Sequence, residues 1–574
     1  MIPPARWRIL PGDESAERAL ADELGVSPAM ARLLVNRGAA TPESARAFLG
    51  APLASLRDPM TLACAPQAAA RLACAVEKGE RVVVLGDYDV DGMTATALMV
   101  RFLRGVGQSP EYYIPSRAEG HGLSVPAVER IIENGARLIV TVDTGVDGAE
   151  ATQFAKARGV DVIITDHHRL KGGLPPALAT VNPTRADCGF GFSALSGAGV
   201  AFQLAAATRR LLRERGRPAE TLPNLKRLLD LVALGSVADM MPLVEDNRIL
   251  IRQGLEVISS APKAGIAALW RLASRQGAVT AKDLAFELAP RLNAAGRLGD
   301  PRDGVELLLT DDDTRARTLA GALDELNRTR KRVQEETLQS ALAIIESDGK
   351  GLEDAVIAAS PDWNAGIIGV VAAKLLERYR APVALVAFEE GMGKGSARSL
   401  PGLDITSALT QCADHLERFG GHAGAAGFVV RQERYPAFRE ALLRAIRQAR
   451  DNGAAAAPHE LLIDLELDPA RVDHQFVSAL AALEPSGVGA PEPVFMARAM
   501  TLREPPRFMG AKEEHVRLTF ANPAAPPAVG FFMAEKFAVG PNAAYDIVYT
   551  PQFNVWRDKV SVQLRLIDAR PASA

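Results

Sequence analysis

Three short apolar runs, each ending in side chains able to hold a metal, constrain this chain more than any other feature. Val82–Leu85 (VVVL) leads into Asp87, Asp89 and Asp91; Leu138–Val142 (LIVTV) leads into Asp143; and 160–165 (VDVIIT) leads into Asp166, His167 and His168. Runs of this length and β-branched content read as buried strands, and the segment from Ala95 to Leu103 has the residues of a helix. The repeating strand-then-helix rhythm predicts an α/β fold with a mostly parallel sheet. In such sheets ligands gather beyond the carboxyl ends of the strands, where all three polar groups fall.

The first run belongs to 81–104, RVVVLGDYDVDGMTATALMVRFLR, in which the aspartates alternate ahead of an amphipathic, helix-like segment. Crowding Asp87, Asp89 and Asp91 raises their mutual repulsion and would push their pKa values up unless a cation neutralises them. A hard divalent metal with oxygen ligands is the natural partner. A solvated acidic turn is the plain alternative. A calcium loop fails, because its twelfth position is Leu98 where a bidentate Glu is required, and a strand precedes where a helix belongs.

Asp143 alone reads as a strand-end turn residue; beside the other two strand ends it reads as a ligand. His167 and His168 are two of only eight histidines, adjacent and preceded by an aspartate. Neutral imidazole ligates metals well, and a neighbouring carboxylate commonly fixes its tautomer. Further on, 228–243 reads LLDLVALGSVADMMPL, and Asp239, embedded in that apolar stretch, is costly unless paired or ligating.

The 574 residues suffice for three or four domains, and the formal charge of −3 argues against a uniformly basic nucleic-acid wrapper while leaving room for local basic grooves. Cys64, Cys74, Cys188 and Cys412 form no CxxC pair, so a zinc ribbon or a disulfide framework is not expected and a reducing compartment fits. The opening MIPPARWRIL lacks the apolar core of a signal peptide and no run is long enough to span a bilayer, so a cytoplasmic location is expected.

GDYDVDG, TVDTG, DHH and GSVADMMP, in this order, resemble the four motifs of the DHH phosphoesterase superfamily. The flanking segments IPSRAEGHGLS (114–124), VNPTRADC (181–188), APRLNAAGRLGD (289–300), GSARS (395–399) and FGGHAGAAGF (419–428) are closer still to the RecJ family of single-strand-specific 5′→3′ DNA exonucleases. The resemblance covers most of 50–500. It implies two Mn2+ or Mg2+ ions held by Asp87, Asp89, Asp91, Asp143, His167 and Asp239, with His168 close by. It implies that Arg117, Ser396 and Arg398 hold a 5′ phosphate, and that Asn293, Arg297 and His422 contact the scissile region, Arg297 offsetting negative charge in the transition state. Two metal ions of this kind suit phosphodiester hydrolysis. The sequence departs from the family pattern at His121, Asn364 and Ala490, none of them a metal ligand.

The expected organisation is two α/β lobes, DHH and DHHA1, joined by a long helix, followed by a C-terminal β-barrel of OB type. The boundaries are a helical N-terminal lead-in (1–80), the DHH domain (81–310), the connecting helix (311–350), DHHA1 (351–450) and the OB-like domain (459–574). Within the connecting helix Arg328, Arg330, Lys331 and Arg332 either form a solvated face or turn toward DNA. Val560, Val562, Leu564 and Leu566 alternate with polar residues, as do Val516, Leu518 and Phe520, which predicts half-buried strands. Trp556, Arg557 and Lys559 are candidates for tracking a single strand, with an ordinary hairpin tip as the alternative.

The expected activity is metal-dependent removal of mononucleotides from the 5′ end of single-stranded DNA by a monomer. Single-strand-binding protein and a helicase are partners that the resemblance implies. A DHH phosphodiesterase for oligonucleotides or cyclic dinucleotides would need neither the β domain nor the charged helix. A silent binding scaffold would lack ligands that are all present here.

Overall fold

A computed structural model describes residues 5–116, 119–120, 122–170, 172–273, 277–348, 354–452, 460–537, 544–556 and 559–572. The chain divides into two units, one of Trp7–Ala289, Gly304–Arg317 and Leu461–Ala574, the other of Met1–Arg6, Pro290–Asp303 and Thr318–Glu460.

The chain opens on a strand, β1 (Arg6–Ile9), so the N-terminal region is not wholly helical as its composition predicts. Strands β2 (Val82–Leu85), β3 (Glu111–Tyr113), β4 (Leu138–Val142), β5 (Asp161–Thr165) and β6 (Ala179–Val181) form an all-parallel sheet in the order β3-β2-β4-β5-β6. Every residue of β2 and β4 is buried. Strands covered on both faces read as continuous apolar runs rather than alternating ones, which is why they are visible in the sequence. The chain crosses from β3 on one side of β2 to β4 on the other, so the switch point and its crevice lie at the ends carrying Asp87 and Asp143.

Helix Val90–Gly105 follows β2, with Asp89 at its N-cap accepting a hydrogen bond from Gly92 N at 3.0 Å. The sequence predicts an amphipathic helix here, and the structure corrects that: all of its first ten residues, Phe102 and Leu103 are buried. The cause is tertiary, since helices Gly197–Glu214 and Leu229–Ala238 pack on it in addition to strands β2, β3 and β4.

The second unit carries β7 (Val356–Ser360), β8 (Val383–Glu389), β9 (Met392–Arg398), β10 (Arg418–His422) and β11 (Ala425–Arg431) in the order β10-β11-β9-β8-β7, with only β7 and β8 parallel. Alternate strand residues serve two cores: Ile368, Val371 and Leu375 of helix Ile368–Tyr379 pack with Val383 and Leu385, and Phe438, Leu442 and Ile446 of helix Tyr435–Asp451 pack with Ala384 and Val386. Helix Asp313–Asp348, 36 residues long, adds Ala341, Leu342 and Ile345 to the first of these cores.

After β12 (Glu460–Ile463), which pairs with β1, come β13 (Leu465–Glu466), β14 (Phe495–Thr501), β15 (Arg507–Met509), β16 (His515–Leu518), β17 (Ala528–Gly530), β18 (Ala544–Trp556) and β19 (Lys559–Pro571). The last seven form one mixed sheet in the order β13-β14-β18-β19-β17-β16-β15. Val516, Leu518, Phe520, Leu564 and Leu566 face its core, but Val560 is 53% exposed, contrary to the expected alternation. There β18 and β19 run on as a ribbon in which Val555 pairs with Val560, and no third strand is paired to cover its face among the described residues. The same core takes in Leu20, Leu33 and Leu34 from helices Glu14–Leu24 and Pro28–Asn36. Each fully buried leucine contributes about 1.5–3 kcal/mol, so these helices are structural partners of the sheet rather than an appendage.

Candidate active site

The site is built from strand ends. Asp87 and Asp89 follow β2, Asp91 lies in the first turn of the helix that Asp89 caps, Asp143 follows β4, His167 and His168 follow β5, and Asp239 ends helix Leu229–Ala238. His167 Nε2 lies 3.1 Å from Asp143 Oδ1, 3.5 Å from Asp239 Oδ2 and 3.9 Å from Asp91 Oδ2. Three groups each bring their donor atoms within 4.8 Å of one another: Asp87, Asp89 and Asp143; Asp91, His167 and Asp239; and Asp143, His167 and His168. All seven residues converge, and Asp143 and His167 are each shared between two groups.

The carboxylates are not equally supported. Asp91, 1% exposed, accepts hydrogen bonds from Gly197 N at 2.5 Å and Ala198 N at 3.0 Å, at the positive end of helix Gly197–Glu214. Ser196 caps that helix and hydrogen-bonds to Ser236 of the GSVADMMP segment at 2.9 Å. Close approach explains two glycines: a Cβ at Gly197 would lie 2.3 Å from that of Asp143, and one at Gly235 would lie 2.5 Å from Asp91 Oδ1. Asp143, in contrast, sits in the left-handed region with φ 62°, and its Oδ1 and Oδ2 of Asp239 are buried acceptors that receive no hydrogen bond from the described residues.

Titration follows this support. Burial, then repulsion from Asp91, Asp89, Asp87 and Asp239, pushes Asp143 well above the usual carboxylate range. Burial, then Asp91 and Asp89, pushes Asp239 up to about 8. Burial lowers His167, which favours the neutral imidazole that ligates metals. Two unit charges 4 Å apart repel by about 4 kcal/mol at an effective dielectric of 20, so this cluster binds protons or cations rather than remaining fully ionised. Buried oxygens without donors, in a mixed carboxylate and imidazole set, fit hard or borderline divalent ions.

Asp166, absent from the sequence-derived ligand set, organises the histidine loop. Its Oδ1 accepts from His167 N at 2.7 Å, His168 N at 3.0 Å and His168 Nδ1 at 2.8 Å, and its Oδ2 from Val146 N at 3.0 Å. Burial would raise Asp166, yet the hydrogen bond and charge of His168 outweigh it and hold the carboxyl low. The same hydrogen bond raises His168 to about 9, leaving an imidazolium that is half exposed. Asn182 of the VNPTRADC motif donates to His168 O at 2.9 Å, fixing the loop from the other side. The signals for both residues are in the sequence, as the first letter of DHH and the Asn of VNPT, but their roles need the tertiary contacts.

Arg117, His121 and Arg557 lie outside the described residues, as does the side chain of Trp556; Lys559 is exposed at the start of β19. The segment on either side of Arg117 is held by Glu119, which accepts from Ser116 N, Tyr113 OH and Arg130 Nη2, each at 2.8 Å. The Ser116 backbone bond, then the Tyr113 hydroxyl, hold Glu119 down at about 2.

Asn293, Arg297, Ser396, Arg398 and His422 belong to the second unit. Arg398 Nη1 donates to Ser396 Oγ at 3.1 Å and to the neighbouring Ala397 O at 2.9 Å, and burial lowers its pKa. A Cβ at Gly369, in the first turn of helix Ile368–Tyr379, would lie 3.1 Å from Ser396 Oγ and 3.2 Å from Arg398 Nη2, so hydroxyl, guanidinium and helix N-terminus converge. Arg297 Nη1 donates to Gly366 O at 3.0 Å, in a turn where Asn364 Oδ1 accepts from Gly366 N at 2.8 Å. Asn293 is half-buried on helix Ala289–Leu298, and His422 is exposed on the β10–β11 hairpin. On the long helix, Arg328 pairs with Asp324 and Arg332 with Glu336, both at 2.8 Å, and Arg330 bonds Asn327 and Gln334.

Family models match three stretches: "DHH family, N-terminal domain" over 81–236, "DHHA1 domain" over 353–448 and "RecJ OB domain" over 463–568. The chain is 35% identical over 572 residues to the single-stranded-DNA-specific exonuclease RecJ of Bacillus subtilis (strain 168), covering 98% of this chain and 70% of that protein. The crystal structure of RecJ in complex with Mn2+ from Thermus thermophilus superposes with a TM-score of 0.84 at 30% identity, covering 100% of this chain and 81% of that one. The Mg2+ complex of the same protein gives 0.79 at 30% identity, covering 99% and 79%.

Proposed function

The chain belongs to the RecJ family, and from that premise we propose that it is a single-stranded-DNA-specific exonuclease that hydrolyses phosphodiester bonds with two Mn2+ or Mg2+ ions, working from the 5′ end and releasing mononucleotides. The observation that carries this is the convergence of Asp87, Asp89, Asp91, Asp143, His167 and Asp239, with buried acceptors left open on Asp143 and Asp239. Those six residues would hold the ions. When bound, the ions polarise the phosphodiester and lower the pKa of the attacking water.

The chain's own groups do the rest. Gly197 N, Ala198 N and the helix behind them fix Asp91. Asp166 holds His168 through Nδ1, leaving Nε2 of the imidazolium as a donor toward a phosphate oxygen or the departing 3′ oxygen. Arg398, Ser396 and the N-terminus of helix Ile368–Tyr379 would bind the terminal 5′ phosphate, and Arg297 would stabilise charge at the scissile group.

Among the described residues no helix is long and apolar enough to cross a membrane. A cytoplasmic monomer that receives its DNA through a single-strand-binding protein and a helicase is the remaining part of the proposal. A time course with 5′-labelled and 3′-labelled single strands, with and without Mn2+, tests the reading. Metal-dependent release of labelled mononucleotide from the 5′ label first is expected; release from the 3′ label first, or metal-independent release, overturns it.

A further inference from the structure

Asp91 and Asp239 share one candidate metal group but are held in different ways. Two backbone N–H groups brace Asp91, whereas Oδ2 of Asp239 receives no hydrogen bond from the described residues. The place of the Asp239 carboxylate is therefore set by the backbone of the turn that carries it, 239–243. In that turn Met240 is left-handed at φ 56° and 69% exposed. A side chain persists in that conformation only where its surroundings enforce it.

Asn247 supplies the enforcement from one side. It is fully buried in the first turn of helix Glu245–Ser260, and its Nδ2 donates to Pro242 O at 3.0 Å and to Ala194 O at 2.6 Å. Two carbonyl acceptors fix which end of the amide faces them, since only the nitrogen carries hydrogens. The amide's Oδ1 is left buried without a donor among the described residues, a cost that the fold bears. Ala194 lies two residues before Ser196, which caps the helix whose Gly197 and Ala198 hold Asp91. One side chain thus ties the Asp239 turn to the wall that fixes Asp91.

A segment far along the chain supports the turn from the other side. Leu243 N donates to Val488 O at 2.7 Å, and Gly487 and Ala490 close a tight turn around Val488 with backbone hydrogen bonds of 2.8 and 3.1 Å. A Cβ at Gly489, left-handed at φ 73°, would lie 3.2 Å from that of Pro242. Arg248, next to Asn247, donates to the carbonyls of Leu483, Glu484 and Pro485 and secures the segment.

We propose that Asn247 is a positioning residue for Asp239, holding the 239–243 turn against the 487–490 turn so that a carboxylate with no bracing donor on Oδ2 still stands among the candidate ligands. It touches no proposed ion and no reacting atom, and acts through the backbone of Pro242. The inference rests on the reading of the site as a two-metal nuclease centre.

The test is calorimetric titration of the full chain with Mn2+ alone, wild type beside Asn247→Ala and Gly489→Ala. Asp239 belongs to the group of Asp91 and His167 and not to that of Asp87, Asp89 and Asp143. In Asn247→Ala one of the two Mn2+ equilibria should therefore weaken about 10–100-fold, the range for groups that orient metal ligands, and the other much less. The Mn2+ concentration for half-maximal nucleotide release should rise in step, with KM for the DNA unchanged. Asn247→Ala decides where it melts cooperatively in EDTA. Where it does not, Gly489→Ala, which crowds Pro242 from the other side with Asn247 intact, decides by the same criterion. Two unchanged equilibria, or equal weakening of both, overturn the assignment and leave Asn247 to the stability of the fold. A wild type that binds no Mn2+ fails the metal reading itself, whereas wild-type binding that the deciding variant leaves unchanged fails this inference alone.

Discussion

The carboxylates at the ends of β4 and of helix Leu229–Ala238 and the guanidinium at the end of β9 carry opposite forms of one problem. Asp143 and Asp239 are anions gathered where burial and mutual repulsion drive them toward protonation. Arg398 is a cation whose hydrogen-bond acceptors, Ser396 Oγ and the carbonyl of Ala397, bring no negative charge, and burial lowers its pKa. Each place is destabilised until it meets the opposite charge. The first is suited to divalent cations and the second to a phosphate, so each should answer to its own ligand.

The largest effect belongs to the residue shared between two of the candidate metal-holding groups. Asp143→Ala should reduce nucleotide release by at least about 10²–10³-fold, the scale of removing one preorganised electrostatic group. Because it also deletes a repelled buried carboxylate, thermal unfolding in EDTA should move up, and the stabilisation that wild type gains from Mn2+ should be lost. A variant with full activity, or one whose metal-free form melts lower, breaks the cation half of the comparison.

Next comes the residue that touches no proposed ion. Asp166→Asn keeps the size but weakens the acceptor for His168 Nδ1 and two backbone N–H groups. Loss of about 10–100-fold in Mn2+ affinity or turnover is expected, the usual range for groups that orient metal ligands. Isothermal titration of the metal separates this from unfolding, since the protein should still bind the ion at higher concentration.

What the sequence discloses follows from where each signal lies. Parallel strands buried on both faces give unbroken apolar runs, and their ends carry the candidate ligands, so the sheet and the residues that converge on it are legible without coordinates. The bracing is not: Asp91 depends on backbone N–H groups more than a hundred residues away, and Asp166 on Val146. Helix Val90–Gly105 keeps polar residues that suggest an exposed face, and only its neighbours reveal that it has none. Asn247 meets Ala194 across 53 residues, a contact that no local pattern states.

The phosphate half is tested by the end group. Arg398→Ala should weaken binding or turnover of a 5′-phosphorylated strand about tenfold, within the range for a hydrogen bond to a charged group, and a 5′-hydroxyl strand much less. Equal loss on both ends would assign Arg398 to the fold of the β8–β9 sheet rather than to the terminal phosphate.

The smallest effect, and the most direct on charge, is the pH dependence of stability in EDTA, for which two carboxyls of the same unit have opposite signs. Glu119 is braced by donors and held down at about 2, below its unfolded value near 4, so it stabilises the fold above that value and the contribution disappears as pH falls toward 2. Asp239 is unbraced and raised to about 8, so the folded state holds a proton that the unfolded state has released. Its contribution is full below pH about 4 and is lost as pH rises through 8; Asp143 is raised in the same sense. Differential scanning calorimetry without metal should therefore show the melting temperature falling from pH 5 to 8, and Asp239→Asn should flatten that fall. Added Mn2+ should reverse the slope, because ionised carboxylates bind it and protonated ones do not. A metal-free protein whose stability rises over this interval would mean that Asp143 and Asp239 are compensated within the chain, and the contrast with Arg398 would no longer hold.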